Sequence, residues 1–360
     1  MRWIEWLKTL LQGVCTEEVT VDYICGNAKK MTVVDSILKY AESNKKNEAA
    51  EIYKADLDCA SFEEMSITHF DRTRAYVKIE DGCENRCTYC IIPAARGKVR
   101  SKAPEDVLSE VEALTKGGCR EVVLTGIETA SYGRDLKTVD LASLLCRVDK
   151  INGIGRVRLG SLDPSLMTDR FVSRIAELKS LTPHFHLSLQ SGSDRILALM
   201  KRKYSTRMAF EGMERIRNVM PNAMFTTDII VGFPGETEED FEATVNFVKR
   251  AKFLSAHIFT YSKRAGTPAA VMPDQIPESV KKERSAKLMS IQNEIRDEIL
   301  SQEIGNEYDV LFETQSGGAA VGHTPSFIEV KVDSDSSVQG LIYKVKITGA
   351  EDGICLGVIV

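Results

Sequence analysis

Gly82-Cys83-Glu84-Asn85-Arg86-Cys87-Thr88-Tyr89-Cys90-Ile91-Ile92-Pro93 is the stretch that decides the reading of this chain. Three cysteines fall within eight residues at C-x3-C-x2-C spacing, with an aromatic residue directly before the last. The loop contains no histidine and no fourth cysteine. Closely spaced thiolates suit a soft-metal centre, and an iron–sulfur cluster normally takes four. A cubane held by Cys83, Cys87 and Cys90 alone leaves one iron without a protein ligand, open to a cofactor or substrate. Two other readings stand beside it. A structural zinc needs four ligands, and His69 or Cys119 would have to fold back to complete the set. A chance group of free thiols is the third, although inert buried cysteines are usually scattered.

Working outward, strand-like apolar runs occur at Ala75–Ile79, Val122–Thr125, Val157–Leu159, Phe185–Leu189, Phe225–Val231 and His257–Tyr261, with helical patterns between them. A helix beginning Ala103-Pro104-Glu105-Asp106 carries Val107, Val111 and Leu114 on one face and stops at Gly117. Another opens at Thr237 and aligns Phe241, Val245 and Val248. Six strands alternating with helices predict a parallel sheet, doubly wound or rolled into a partial barrel, with chemistry at the C-terminal strand ends. The cysteine loop follows the first of these strands.

Residues 1–70 read as a short α/β piece, with a strand over Val19–Ile24, a turn at Gly26-Asn27, a helix over Val33–Ala41 and a solvated charged segment at residues 44–48. The opening residues are a poor signal peptide because Glu5 and Lys8 interrupt the apolar run, and Trp3, Leu7, Leu10 and Leu11 fall on one helical face. Lys281–Glu303 predicts an amphipathic helix with Leu288, Ile291 and Ile295 on one side. Four short β-like runs follow at Tyr308–Glu313, Phe327–Val332, Leu341–Ile347 and Ile354–Val360, a pattern that fits a small β-barrel.

The chain has 360 residues, 43% hydrophobic and 28% charged, which describes an ordinary globular protein with room for two or three domains and no membrane-length apolar run. Nine cysteines, an odd number, argue against a disulfide framework. The net charge of −5 gives no global nucleic-acid signature, so RNA binding has to come from local patches. Lys201-Arg202-Lys203 and Lys263-Arg264 are such clusters near predicted strand ends. Thr125-Gly126-Ile127-Glu128 ends the second strand, which in isolation reads as a simple strand-to-loop turn, although glycine there admits a close ligand and Glu128 can accept from a cationic amine. Ser188 and Gln190 share one face of the fourth strand, and Asp228 is acidic in an otherwise apolar strand that runs into Gly232-Phe233-Pro234-Gly235. His184 and His186 read as satisfied strand histidines rather than metal ligands.

These segments together resemble the radical S-adenosylmethionine (SAM) tRNA methylthiotransferases. The matching stretches are residues 82–97 with Arg100-Ser101, then 125–133, 158–164, 186–204, 226–241 and 257–270, in the family's order over most of residues 74–270. Ser188-Leu189-Gln190-Ser191-Gly192 and residues 260–268 look most like the MtaB-like branch, which acts on N6-threonylcarbamoyladenosine beside the anticodon. Residues from about 304, including Gly322-His323-Thr324, resemble the TRAM domain, an RNA-binding β-barrel.

The resemblance implies a partial (β/α)6 TIM-like radical-SAM barrel over residues 71–300. It implies a remnant of a flavodoxin-like methylthiotransferase domain over residues 1–70 and a TRAM barrel over residues 301–360. It implies that Cys83, Cys87 and Cys90 hold a [4Fe-4S] cluster that reduces SAM to a 5′-deoxyadenosyl radical. The radical removes hydrogen at C2 of the modified adenine, where a methylthio group takes its place. Tyr89, Gly126, Glu128, Ser188, Gln190, Asp228, Ile230 and Gly232 would then contact SAM. Lys201, Arg202, Lys203, Lys263 and Arg264 would contact RNA. The partners would be tRNA and an electron donor such as flavodoxin or ferredoxin in the cytoplasm, with the sulfur donor open. One departure stands out. Cys15, Cys25 and Cys59 lack the spacing of the family's second cluster, so that cluster is expected to be missing or incomplete and the N-terminal domain to start midway. The rivals are a radical-SAM enzyme without sulfur insertion and a silent tRNA-binding remnant.

Overall fold

The computed structural model describes residues 23–26, 30–43, 51–53, 57, 60–63, 65–66 and 73–360. Cys15, Cys59, His69, the expected N-terminal helical face, the start of the first strand, Asn27 and the charged segment at residues 44–48 lie outside them. The chain divides into two compact units, residues 1–63 and 64–360.

In the first unit, strand β1 (Tyr23–Cys25) pairs in parallel with β2 (Glu51–Tyr53), with helix α1 (Lys30–Ser43) between them in sequence. The Ser36 and Tyr53 hydroxyls meet at 2.8 Å. Strand β2 carried too short an apolar run to be found in the sequence.

The second unit contains the six expected parallel strands. They are β3 (Arg74–Lys78), β6 (Glu121–Thr125), β7 (Arg156–Leu159), β8 (His184–Gln190), β9 (Met224–Val231) and β10 (Ser255–Thr260). They form two three-stranded ladders, β3-β6-β7 and β8-β9-β10. Single bridges, Val157 to Leu181 and Leu162 to Leu187, join the ladders into one curved wall. Two short antiparallel strands, β4 (Glu80–Asp81) and β5 (Arg100–Ser101), close the base of the cysteine loop around α2 (Ile92–Arg96). Helices α3 (Pro104–Lys116), α4 (Leu141–Val148), α5 (Asp169–Ile175), α6 (Asp194–Leu199), α7 (Thr206–Val219) and α8 (Glu238–Ala251) connect the parallel strands.

Local chemistry explains these boundaries. Helix α3 starts at Pro104, where the absent N–H costs nothing, has Glu105 and Asp106 in its first turn, and buries Val107, Val111 and Leu114 before Gly117. Helix α8 opens with a reciprocal cap, in which the Thr237 hydroxyl accepts from the Asp240 N–H and the Asp240 carboxylate accepts from the Thr237 N–H. On β8, Phe185, Leu187 and Leu189 are fully buried in the core, while His184, His186, Ser188 and Gln190 occupy the opposite face.

Helix α9 (Glu278–Gln302) buries Leu288, Ile295, Ile299 and Leu300 and leads into a closed five-stranded barrel. Its strands are β11 (Glu307–Ser316), β12 (Ala319–His323), β13 (Glu329–Asp333), β14 (Ile342–Glu351) and β15 (Ile354–Ile359), arranged 11-12-13-15-14. The sequence reading missed β12, whose small residues make a weak strand signal. It enters through Gly317 and Gly318, both at positive φ. At Gly322, in that strand, a Cβ would stand 2.2 Å from the Leu311 carbonyl oxygen, so only glycine fits.

This barrel packs against the N-terminal ends of the parallel strands. Arg74, Glu121 and Arg156 are the first residues of β3, β6 and β7. Glu121 is fully buried and pairs with Arg74 at 3.1 Å and Arg158 at 2.8 Å. Burial pushes the Glu121 carboxyl up, but the guanidiniums of Arg158, Arg74 and Arg156 hold it below its ordinary value. Arg156 donates to the carbonyls of Asp309 and His323, and Arg74 pairs with Glu313. Phe327 fills the floor, stacked between His184 at 4.4 Å and His323 at 4.6 Å, with the Arg158 guanidinium 4.8 Å from its ring centre. Among the described residues no helix is long and apolar enough to cross a membrane.

Candidate active site at the C-terminal rim

The cysteine loop sits at the C-terminal end of β3, where parallel α/β folds place their chemistry. Gly82 turns the chain at φ +90°, and a Cβ there would collide with the Lys98 carbonyl oxygen at 1.9 Å. The Cys83 N–H donates to the Gly97 carbonyl at 3.0 Å, tying the two arms of the loop together. Thr88 is pinned from three sides. Its N–H reaches the Met200 carbonyl at 3.1 Å, its hydroxyl the Leu199 carbonyl at 2.9 Å, and its own carbonyl accepts from the Ala269 N–H at 2.9 Å.

Cys83, Cys87 and Cys90 are all free thiols, Cys87 buried and the other two half-buried. Burial pushes the Cys83 thiol up to about 11 and raises Cys90 as well, so neither ionises readily without a bound cation. A metal cluster would reverse that balance. Among the described residues no three His, Cys, Asp or Glu side chains gather around one ion. A cubane places no such demand, since each cysteine takes a separate iron. The donor set is therefore three thiols on a fixed loop, and it fits a three-cysteine cubane.

Beside the loop lie two buried carboxyls, Glu80 and Glu128. Glu80 is fully buried; one of its oxygens accepts the Glu128 N–H at 2.8 Å, while Oε1 has no hydrogen-bond partner. Gly126 makes room for it, because a Cβ there would lie 2.6 Å from Glu80 Oε2. Glu128 accepts from the Asn85 side chain at 3.0 Å. Burial pushes both carboxyls up to about 7, and Asp163 adds to the effect at Glu128. Glu80 Oε1 is one of several buried polar atoms in the fold without a protein partner, and it lies beside Gly126 and Glu128. The sequence reading found Gly126 and Glu128 and missed Glu80. An acidic residue directly after the apolar run Ala75–Ile79 is the signal that could have found it.

Arg202 corrects an expectation. The basic cluster predicted it to be RNA-facing, yet its side chain is only 6% exposed because it neutralises buried acceptors. It lies 3.2 Å from Cys87 Sγ, pairs with Asp163 at 3.1 Å, and donates to the Ser188 carbonyl at 2.9 Å and the Tyr204 hydroxyl at 2.9 Å. It ties the cysteine loop to the ends of β7 and β8. Lys201, Lys203, Lys263 and Arg264 remain exposed.

The other expected residues are dispersed along the rim and below it. Ser188 and Gln190 end β8, with Gln190 buried and at φ +69°. Tyr89 and Ile230 pack into one small cluster with Ile196, Met200, Phe233 and Tyr261. Gly232 is explained by packing, since a Cβ would lie 2.3 Å from the Lys281 side chain, and its N–H donates to Glu236 at 2.8 Å. Asp228 lies lower, between His257 Nδ1 at 3.1 Å and His186 Nε2 at 3.4 Å. Burial works against its charge, but the two imidazoles hold its carboxyl below the usual value. His184 and His186 are both hydrogen-bonded to Thr226, but the expectation of satisfied histidines fails in part, because the buried His184 Nδ1 has no hydrogen-bond partner. Cys25, in the first unit, is exposed at the end of β1.

A six-stranded parallel half-barrel with a three-thiol loop at its first strand end defines a radical-SAM protein, and a sequence profile of the Radical SAM superfamily matches residues 77–248. The relatives narrow this further. The chain is 38% identical over 338 residues to the threonylcarbamoyladenosine tRNA methylthiotransferase MtaB of Bacillus subtilis (strain 168), covering 92% of this chain and 74% of that protein. It is 43% identical over 279 residues to the tRNA-2-methylthio-N(6)-dimethylallyladenosine synthase of Carboxydothermus hydrogenoformans, covering 76% and 63%. The enzyme of that name from Desulfitobacterium hafniense is 39% identical, covering 88% and 71%. The chain belongs to the radical-SAM tRNA methylthiotransferase family.

Proposed function

We propose that this protein converts an N6-substituted adenosine beside the anticodon of tRNA, of the threonylcarbamoyl type, to its 2-methylthio derivative. The observation that carries the reading is the loop of three free thiols at the strand ends, beside the buried carboxyls of Glu80 and Glu128. Cys83, Cys87 and Cys90 would hold a [4Fe-4S] cluster, which when bound supplies the electron for reductive cleavage of SAM.

The chain's own part is binding, orientation and exclusion of water. Glu128 is suited to the ammonium group of SAM, because a neighbouring cation favours the ionised form of a carboxyl that burial has pushed up. Ser188 and Gln190 end the adjacent strand, where a ribose can be met, and Tyr89 with Ile230 offers an apolar surface for an adenine. Arg202 fixes the Cys87 sulfur relative to Asp163 and β8.

Exposed Lys201, Lys203, Lys263 and Arg264 are suited to RNA phosphates, and the C-terminal five-stranded barrel resembles a TRAM module that would add RNA-binding surface. A cytoplasmic setting with a flavodoxin or ferredoxin as electron donor fits this chemistry. The test is anaerobic reconstitution with SAM, a reductant and a tRNA bearing threonylcarbamoyladenosine, followed by mass spectrometry of the nucleosides. Formation of both 5′-deoxyadenosine and the 2-methylthio nucleoside supports the reading. Deoxyadenosine without the thiomethylated product contradicts it.

A further inference from the structure

Between the rim and the floor, the inner wall carries a hydrogen-bonded series of side chains that includes Asp228, the residue expected above against SAM. The Thr226 hydroxyl lies 3.0 Å from His184 Nε2 and 2.9 Å from His186 Nδ1. Asp228 stands 3.4 Å from His186 Nε2 and 3.1 Å from His257 Nδ1. Asp228 and His257 are register partners on neighbouring strands, so the pairing is built into the sheet. Exposure rises along the series. The His184 ring is buried against Phe327, whereas the His257 side chain is 65% exposed. Phe259, two residues further along β10, is 53% exposed. Strand β10 ends its ladder, so this wall lies at the edge of the sheet. Asp228 is three residues before the end of β9, about 10 Å below the strand ends.

An exposed phenylalanine beside an imidazole and carboxylate makes a surface that is apolar at one point and strongly polar at the next. A nucleobase that covers it removes water from Asp228 and His257. Each group left without a partner then costs about 1–3 kcal/mol, and more if charged. The covering ligand must therefore bring hydrogen-bonding groups of its own. The N6 substituents named in the two kinds of relative differ in this respect. A threonylcarbamoyl group carries amide N–H groups, a hydroxyl and a carboxylate. A dimethylallyl group is hydrocarbon beyond its amine N–H.

We propose that Asp228 and His257 form the wall that selects a polar N6 substituent on the substrate adenosine and rejects a hydrocarbon one. Asp228 accepts from an amide N–H or hydroxyl of the substituent. His257, whose Nδ1 is engaged by Asp228, offers Nε2 to the substituent's oxygens. Sequence identity alone does not make this choice, since relatives of both kinds match at about the same level. The inference rests on the reading that the substrate is an N6-modified adenosine in RNA.

Fluorescence anisotropy of the full chain, kept anaerobic, would test it with anticodon stem-loops that carry threonylcarbamoyladenosine, dimethylallyladenosine or unmodified adenosine at the same position. The unaltered protein should bind the first about tenfold or more tighter than the second, the effect of one lost hydrogen bond to a charged group. His257→Leu, at an exposed position, should erase that preference by weakening the threonylcarbamoyl loop while binding of the unmodified loop stays within about twofold. Asp228→Asn should act in the same direction, and His257→Gln, which keeps a donor, should restore part of the preference. An undiminished preference in both His257→Leu and Asp228→Asn overturns the assignment while leaving the function standing. So does tighter binding of the dimethylallyl loop by the unaltered protein. No stem-loop binding above that of an unrelated hairpin overturns the function and this inference together.

Discussion

The two ends of the half-barrel are built on opposite rules. At the floor, Glu121 has three guanidiniums around it, Arg156 caps two carbonyls of the small barrel, and Phe327 stacks with both His184 and His323. At the rim, Glu80 is fully buried beside Glu128, and two thiols are pushed away from ionisation. Buried charge is normally matched by opposite charge, and the floor follows that rule around Glu121, although Arg158 Nη1 and His184 Nδ1 there have no hydrogen-bond partner. At the rim, burial outweighs the partners of Glu80 and Glu128 and pushes both carboxyls up. The difference separates a surface that holds two parts of the chain together from one arranged to receive a ligand.

The comparison breaks first at the thiols. Cys87→Ala should remove the visible absorbance of the reconstituted cluster and abolish 5′-deoxyadenosine formation, with circular dichroism unchanged in the β region because β11–β15 lie at the other end. A variant that still forms deoxyadenosine at the normal rate would remove Cys87 from the ligand set.

Arg202→Leu is the next largest. It takes the guanidinium from the buried Asp163 carboxylate, which keeps only the Ser165 N–H and hydroxyl, while the Ser188 carbonyl keeps the Tyr204 hydroxyl; the loss should be about 2–4 kcal/mol in urea unfolding. A loss under about 1 kcal/mol would show that water replaces the guanidinium.

Phe327→Ala attacks the floor instead. It removes the ring between His184 and His323 and should cost about 2–3 kcal/mol, with faster amide exchange in β12 and β13 and no change in iron content. Iron loss in that variant would join the two ends that the structure keeps apart.

The smallest effect is one of pH. Glu80 and Glu128 sit at about 7 in the folded chain against ordinary values of 4.5, so between those limits the folded state holds more protons than the unfolded one. Their contribution to stability therefore falls as pH rises from about 4.5 to 7 and is level above that. Glu80→Gln should flatten this slope and raise stability above pH 7 by on the order of 1–3 kcal/mol in the absence of SAM. Parallel pH profiles for the variant and the unaltered protein would contradict the assignment.

What the sequence revealed follows a physical division. The six strands and the capped helices were legible because burial on one face imposes a period, and caps and glycines mark the ends. Strand β12 was not, since Ala319, Ala320 and Gly322 carry little β signal and are set by contacts with β11 and β13. At the site, the cysteines, Gly126 and Glu128 were visible as local oddities. Arg202 was misread because a run of three basic residues looks like a solvated surface, and only the fold shows that one of them turns inward to Cys87. The floor cluster joins residues 74, 121, 158, 184 and 327, and no local pattern announces a contact over that span.

The account rests on the rim loop holding a cubane cluster, and counting metal tests that most directly. Iron and acid-labile sulfide should be measured per chain, under anaerobic conditions, in the unaltered protein and in the variant with Cys83, Cys87 and Cys90 all changed to alanine. A difference of about four irons and four sulfides is the expected result. Equal iron in the two proteins, or zinc in place of iron at the loop, would contradict it.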